Sequence, residues 1–208
     1  MEEDLCEKLK YYDVYNNVLK VVEEAHHGQF RKDGVTPYVL HPIRCSKIAA
    51  DVYNNENREL EILMLTHDVV EDCMDYYKNK ILKVIDATEI YFSSYSVGAI
   101  EFALKCITKP DKVDGVNRKE RFELYMATIM SSKLAIYGKI IDRIDNLREY
   151  NGVSTDFMLD VYLPESYYIL DCVQSGGYKN ECGDSFNMLK ETCKEVEMIY
   201  MDRKECGD

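Results

Sequence analysis

Apolar positions recur three and four residues apart along most of the chain, and no stretch shows the two-residue alternation of a strand. Val18, Leu19, Val21, Val22 and Ala25 form one such stripe, which stops at Gly28. Gly34, Pro37 and Pro42 then punctuate a loop. Pro42 is well placed to open a helix, because a first turn does not use its missing N–H. The spacing predicts helices over Ile43–Tyr53, Leu60–Cys73, Lys80–Asp86 (a short connector), Val97–Ile107, Arg118–Met130 and Lys133–Tyr150. Lys109-Pro110-Asp111 closes off Val97–Ile107. Gly152 and Ser154 set apart a Tyr-rich helix, Phe157–Val173. Gln174–Asp184 contains Gly176, Gly177 and Gly183 and reads as a loop, after which a last amphipathic helix covers Ser185–Arg203. No internal repeat is present. The expectation is one all-α domain over residues 1–208, with a core at about 18–150 and a helical extension, 151–208, packed back onto it.

Composition narrows the class. A chain of 208 residues is long enough for one sizeable core and short for two. Its 46% hydrophobic and 31% charged residues are the balance of a globular domain, not of a disordered chain. No apolar run approaches the roughly 20 residues that span a bilayer, and the acidic start Met1-Glu2-Glu3-Asp4 is unlike a secretory signal. A soluble cytoplasmic protein with no membrane partner is expected. The net charge of −12 argues against nucleic acid as a partner. A small anionic ligand stays compatible, since a local basic cluster or a bound cation reverses the field. The eight cysteines are scattered with no C-x-x-C pair and read as reduced thiols, many of them core fillers.

The segment carrying most chemistry is His67-Asp68-Val69-Val70-Glu71-Asp72, which follows the mostly apolar run Leu60 to Leu65. On a helix Glu71 shares a face with His67, and Asp72 with Asp68. Three carboxylates crowd the end of an apolar element, and like charges at that spacing repel unless a cation neutralises them. A metal site is therefore expected. Three further runs belong with it: His26/His27 to Gly34, Pro37-Tyr38-Val39-Leu40-His41-Pro42, and Lys139-Ile140-Ile141-Asp142-Arg143-Ile144-Asp145-Asn146.

In this order the runs resemble the hydrolase domain of the RelA/SpoT family, part of the HD superfamily of metal-dependent phosphohydrolases. The resemblance covers about residues 18–150. The family's HxGQxRKxG falls at His26/His27 to Gly34, its PYxxHP at Pro37 to Pro42, its HDxxED at His67 to Asp72 and its KxADRxxN at Lys139 to Asn146. Ile107-Thr108-Lys109 matches a further family segment. The resemblance implies an HD-type helical fold with the metal site between helices, and Mn²⁺ held by His41, His67, Asp68 and Asp142. That His₂Asp₂ set is N/O ligation, suited to such an ion and not to a thiolate-bound zinc. It also implies that Glu71 and Asp72 position and deprotonate the attacking water. Arg31 and Lys32 would meet the nucleotide, Asn146 would help hold the nucleoside, and Lys139 and Arg143 would neutralise phosphates.

The implied activity is 3′-pyrophosphohydrolysis of guanosine tetra- and pentaphosphate alarmones of the stringent response, giving GDP or GTP and pyrophosphate. Two alternatives stand beside it: an HD phosphohydrolase on another nucleotide, such as the 2′-phosphate of NADPH, and a catalytically silent alarmone-binding module. Intact Glu71 and Asp72 weigh against the silent module. The chain departs from the family pattern with Ile141 where alanine is usual, and with Glu149 where many relatives have threonine, which brings an acid towards the ligand pocket. It also has no room for the family's synthetase domain, so a small stand-alone hydrolase is expected. Tyr38 and the Cys- and Tyr-rich last third are given packing roles, and His26 and His27 a helix-terminal structural one.

Overall fold

A computed structural model describes residues 2–54, 56–110, 115–149 and 152–206. The helices are α1 (Glu2–Ala25), α2 (Leu40–Val52), α3 (Arg58–Asp72), α4 (Asp75–Ala87), α5 (Ser94–Ile107), α6 (Arg118–Ile129), α7 (Lys133–Arg148), α8 (Thr155–Phe157), α9 (Leu163–Ser175) and α10 (Lys179–Cys206). A 3₁₀ turn, Thr88–Ile90, follows α4, and a π-helical turn, Met158–Tyr162, joins α8 to α9. Among the described residues the only β-type pairing is one antiparallel bridge, Phe30 with Pro37.

The centre of the domain is the pair α3 and α7. Every residue from Leu60 to Val69 of α3 is buried, as is every residue from Ala135 to Asp145 of α7. Helices buried on all sides lie inside the others: α2 and α5 pack on α3, and α10 covers α7. Both central helices start on side-chain caps. Asn57 Oδ1 accepts from the Leu60 amide at 3.1 Å, and Ser132 Oγ from the Ala135 amide at 3.3 Å. Each cap satisfies an amide that has no intrahelical partner.

Gly138 sets how close the two centres come. A Cβ at this position would stand 3.0 Å from Ile107 Cδ1, 3.1 Å from Met64 Sδ and 3.2 Å from Leu63 Cδ2. One turn beyond Gly138 lies Asp142, and one turn beyond Leu63 and Met64 lie His67 and Asp68. The close approach therefore faces the chemistry of one helix onto that of the other.

The helices expected from the spacing are present, with corrected ends. The connector read as Lys80–Asp86 is the longer Asp75–Ala87. Pro42 is the third residue of α2, still within the first turn where no amide bond is lost. The reading of Phe157–Val173 as one helix is wrong: the π-helical turn interrupts it, and Pro164 sits in the first turn of α9. The expected loop Gln174–Asp184 is also largely helical. Residues Lys179–Cys182 already form the first turn of α10, and the chain bends at Gly183 (φ 43°, ψ −110°) without leaving the helix for long. Tyr150, the expected end of α7, lies outside the described residues. All eight cysteines are free thiols, as expected. No helix among the described residues is long and apolar enough to cross a membrane.

Replacing Gly138 by Val overpacks three core side chains at once. Gly138→Val is expected to cost about 1–3 kcal/mol, lowering the thermal midpoint by ~2–4 °C for each kcal/mol in a domain of this size. Calorimetry of the two proteins checks this, and an unchanged midpoint would show that α3 and α7 are not held together here.

Candidate active site

At the facing ends of α3 and α7, with the start of α2 alongside, four side chains converge. His41 Nε2 lies 3.4 Å from Asp68 Oδ2 and 3.3 Å from Asp142 Oδ1, and His67 Nε2 lies 3.2 Å from Asp68 Oδ1 and 3.9 Å from Asp142 Oδ1. All four residues are buried. His67 Nε2 and Asp68 Oδ2 nevertheless have no hydrogen-bond partner. Buried polar atoms are nearly always partnered, so convergence without hydrogen-bonding geometry is what a cation-binding set looks like. Donor atoms of His41, His67 and Asp68 lie within 4.8 Å of one another. Asp142 Oδ1, 3.3 Å from His41 Nε2, would add a fourth oxygen, and such an N/O set fits a divalent ion such as Mn²⁺.

The other ring nitrogens fix how the imidazoles point. His67 Nδ1 donates to the Met64 carbonyl at 2.8 Å, and His41 Nδ1 donates to Asp145 Oδ2 at 2.6 Å. Both partners turn Nε2 towards the carboxylates, the arrangement that orients metal-binding histidines. Asp145 is held in turn by Arg44, whose Nε and NH2 donate to its two oxygens at 2.7 and 3.0 Å. Burial alone would raise Asp142, but Lys139 (Nζ to Oδ2, 2.8 Å) and the two imidazoles hold it well below the usual carboxylate range. Asp68 is likewise lowered against burial, chiefly by His67 and His41. His67 is raised against burial by Asp68 and Asp142. The carboxylates are thus anionic, and a bound cation would compete with protons for the imidazoles.

On the rim, Glu71 receives Lys109 Nζ at 2.6 Å and the Lys109 amide at 3.3 Å. Asp72 accepts from the Tyr38 hydroxyl at 3.2 Å. Its carboxyl is raised by burial and by the charges of Asp68 and Glu71. Tyr38, read as packing, therefore touches an acid of the motif. His26 backs it, with the rings stacked at 4.9 Å. Arg31 Nε meets Glu149 Oε2 at 2.7 Å, and its NH2 donates to Asn146 Oδ1 at 2.7 Å. Asn146 Nδ2 in turn donates to Asp142 Oδ1 at 2.5 Å. The loop carrying Arg31 is a tight turn built on Asp33, which accepts from the Val35 amide, the Thr36 amide and the Thr36 hydroxyl. Those bonds depress Asp33 to about 2. Gly152 packs against this loop, where a Cβ would lie 3.1 Å from the Lys32 backbone.

A cavity of about 450 Å³ opens here, lined by Arg31, Lys32, His67, Asp72, Lys139 and Asn146 among others. Lys139 and Arg143 are both buried, so neither is a surface cation. Arg143 turns away from the imidazoles and pairs with Glu165 at 3.2 Å. Glu149 does approach the pocket, but Arg31 and Arg44 (2.5 Å) neutralise it. Sequence reasoning gave Asp145 and Arg44 no role. The available signal was spacing: Asp145 stands three residues past Asp142 on the same helix face, where a carboxylate can reach an imidazole. It also gave the last third only packing, whereas Tyr162 lines the cavity.

An all-helical domain whose buried His and Asp side chains meet between its central helices is an HD-type fold. A solved structure described as a metazoan ortholog of SpoT that hydrolyzes ppGpp shares it, with a TM-score of 0.60 and 22% identity over 88% of this chain and 93% of that chain. No family model matches the chain. Guanosine-3′,5′-bis(diphosphate) 3′-pyrophosphohydrolase of Vibrio cholerae serotype O1 is 25% identical over 192 residues, 84% of this chain. A chloroplastic protein of Arabidopsis thaliana that bears the name of a GTP diphosphokinase, RSH1, is 28% identical over 131 residues, 62% of this chain. The chain spans 25% of the length of the first relative and 14% of the second. The chain is thus similar in fold to the solved SpoT ortholog and in sequence to parts of these two longer proteins.

Two measurements probe this geometry. In a calorimetric titration with Mn²⁺, Asp145→Asn is expected to weaken binding roughly 10–100-fold by freeing His41, and His67→Ala to abolish it; full affinity in either would show that the donors are misassigned. Asp33 is expected to titrate at about 2 by carboxyl-carbon NMR. Its folded pKa lies below the unfolded value of about 3.9, so its contribution is present above pH 4 and lost as pH falls towards 2. The stability advantage of wild type over Asp33→Asn should shrink in that window, and a constant difference would remove the turn's dependence on the carboxylate.

Proposed function

We propose that the chain is a divalent-metal-dependent phosphohydrolase that removes pyrophosphate from the 3′ position of guanosine 3′,5′-bis(diphosphate) nucleotides, with Mn²⁺ as its ion. The observation that carries this reading is the set of unpartnered buried donors facing two rim carboxylates, Glu71 and Asp72. The name of the Vibrio relative supports the substrate.

His41, His67, Asp68 and Asp142 would hold the ion, which supplies Lewis-acid polarisation of the phosphate and acidifies a nearby water. The remaining work falls to this chain's own groups. Asp72 is the proton acceptor: its carboxyl is raised, and Tyr38 donates to Oδ2, so Oδ1 is the oxygen that would serve as base. Glu71 keeps Lys109 at the rim, and Lys139 stands beside Asp142, so both ammonium groups face an incoming phosphate. Asn146 and Glu149 occupy two N–H edges of Arg31 and the Tyr38 ring lies against one of its faces at 5.2 Å, so a base would stack on the opposite face. The water oxygen bonds to the phosphorus attached to O3′, and its proton passes to Asp72. The phosphorus–O3′ bond breaks, O3′ takes up a proton, and pyrophosphate leaves with GDP or GTP as the other product.

Incubating the purified chain with Mn²⁺ and the alarmone is expected to release pyrophosphate. Asp72→Asn should lower kcat by about 10²–10⁴ while the nucleotide still binds, and Glu71→Gln should lower it less, by releasing Lys109. An intact alarmone would overturn the substrate, and inorganic phosphate released from NADPH in the same panel would replace it.

A further inference from the structure

The histidine doublet that follows α1 takes no part in the chemistry above, and its two members have opposite surroundings. His27 is exposed, whereas His26 is only 2% exposed. His26 Nδ1 lies 2.9 Å from Gln29 Oε1, and an amide oxygen only accepts, so Nδ1 carries the hydrogen. Cys73 Sγ stands 3.7 Å from the same nitrogen. Nε2 is left as the acceptor, and it has no hydrogen-bond partner among the described residues. Burial pushes the pKa of the ring below the ordinary imidazole value although Asp68 and Asp72 are near, so at pH 7 the ring is neutral.

What His26 offers the site is therefore its plane. The ring stacks on Tyr38 with centroids 4.9 Å apart and planes 24° from parallel. Tyr38 has three further contacts: Arg31 lies over its ring at 5.2 Å, His41 meets it edge-on at 6.1 Å, and its hydroxyl donates to Asp72 Oδ2 at 3.2 Å. Burial and the charges of Asp68 and Asp72 push the phenol's pKa up, so it remains a donor. Gln29 serves this arrangement twice. Its side chain sets the tautomer of His26, and its carbonyl accepts from the Tyr38 amide at 2.9 Å. Tyr38 precedes α2, so no helical turn of its own fixes its rotamer. A small swing about Cβ moves the hydroxyl furthest of all, and a hydrogen bond weakens steeply as it bends.

We propose that His26 is a positioning residue for the reaction: its imidazole plane holds Tyr38 so that the hydroxyl takes Oδ2 of Asp72 and leaves Oδ1 to face the water. This rests on the reading of Asp72 as the proton acceptor. Because Arg31 lies over the same phenol, the grip on the nucleobase and the aim of the acid share one side chain.

The test is a double-mutant cycle on the full chain with Mn²⁺ and the alarmone. Tyr38→Phe removes only the hydroxyl, and kcat is expected to fall about 5–30-fold, as for one lost hydrogen bond. His26→Leu fills the space but removes the plane; it should cost a similar factor in kcat, with KM and Mn²⁺ affinity unchanged. In the double variant the two losses should not add, because the second change removes a contact already gone. His26→Phe restores a plane without nitrogens and should return kcat to that of wild type, and the exposed control His27→Ala should leave it there. The carboxyl-carbon resonance of Asp72 in the metal-free protein reads the same geometry without turnover. It should move alike in Tyr38→Phe and His26→Leu and stay in place in His26→Phe. Additive losses, or an Asp72 resonance unmoved in His26→Leu, overturn the proposal. So does a slow His26→Phe enzyme, which decides the matter even if His26→Leu fails to fold. The expected Asp72 shifts in a protein that leaves the alarmone intact keep the stack and remove the hydrolytic reading. Hydrolysis with no such shifts keeps the reaction and removes the role of His26.

Discussion

The closeness of α3 to α7 governs everything else in this protein. A single hydrogen in place of a side chain at Gly138 lets two fully buried helices meet at van der Waals distance, with Met64, Leu63 and Ile107 filling the contact. Because both helices keep the same pitch, the residues one turn further on must face one another too. Those residues are His67 and Asp68 on one side and Asp142 on the other. The apolar contact thus works as a ruler for a polar cluster, and α2 completes the cluster by laying His41 across its end.

The electrostatic organisation follows from that enclosure. Charges buried without partners are costly, and the chain answers with linked pairs. One line runs from His41 through Asp145 to Arg44, then by way of Glu149 to Arg31 and Asn146, and back to Asp142. Glu149 is the telling member. From sequence it is an acid that threatens an anion site, but between two arginines its charge is spent on holding Arg31 in one orientation. A residue's sign alone did not reveal its effect, because the effect depends on partners 105 and 118 positions away in the chain.

That distinction decides what was legible. The all-helical architecture could be read from periodicity, since every long helix buries one stripe or all of its sides. The grouping of His41, His67, Asp68 and Asp142 could be read because two of the four are adjacent and the motifs bearing the rest are distinctive. Tyr38 could not, because an aromatic hydroxyl in a loop looks the same whether it packs or donates to Asp72. Least legible of all is a second cavity, which adjoins the first along α7. Its cations come from positions 32, 109, 118, 121, 139 and 143, and nothing in their local spacing shows that folding gathers them. The break in the expected Phe157–Val173 helix belongs to the same lesson: propensity describes a turn's residues, whereas tertiary contacts choose between α and π winding.

The π-helical turn has one further implication. The side chains of the His/Asp cluster come from α2, α3 and α7, whereas Phe157 and Tyr162, which line the neighbouring cavity, come from the segment after α7. Lys32, Lys109, Tyr125 and Tyr162 border both cavities along with the α7 wall, but none of them belongs to the His/Asp cluster. Inheritance can treat them as separable parts: drift between Phe157 and Glu165 would reshape the neighbouring cavity without disturbing the core contact that aligns the His/Asp cluster. Such a division lets one scaffold give rise to descendants with different appetites and the same chemistry.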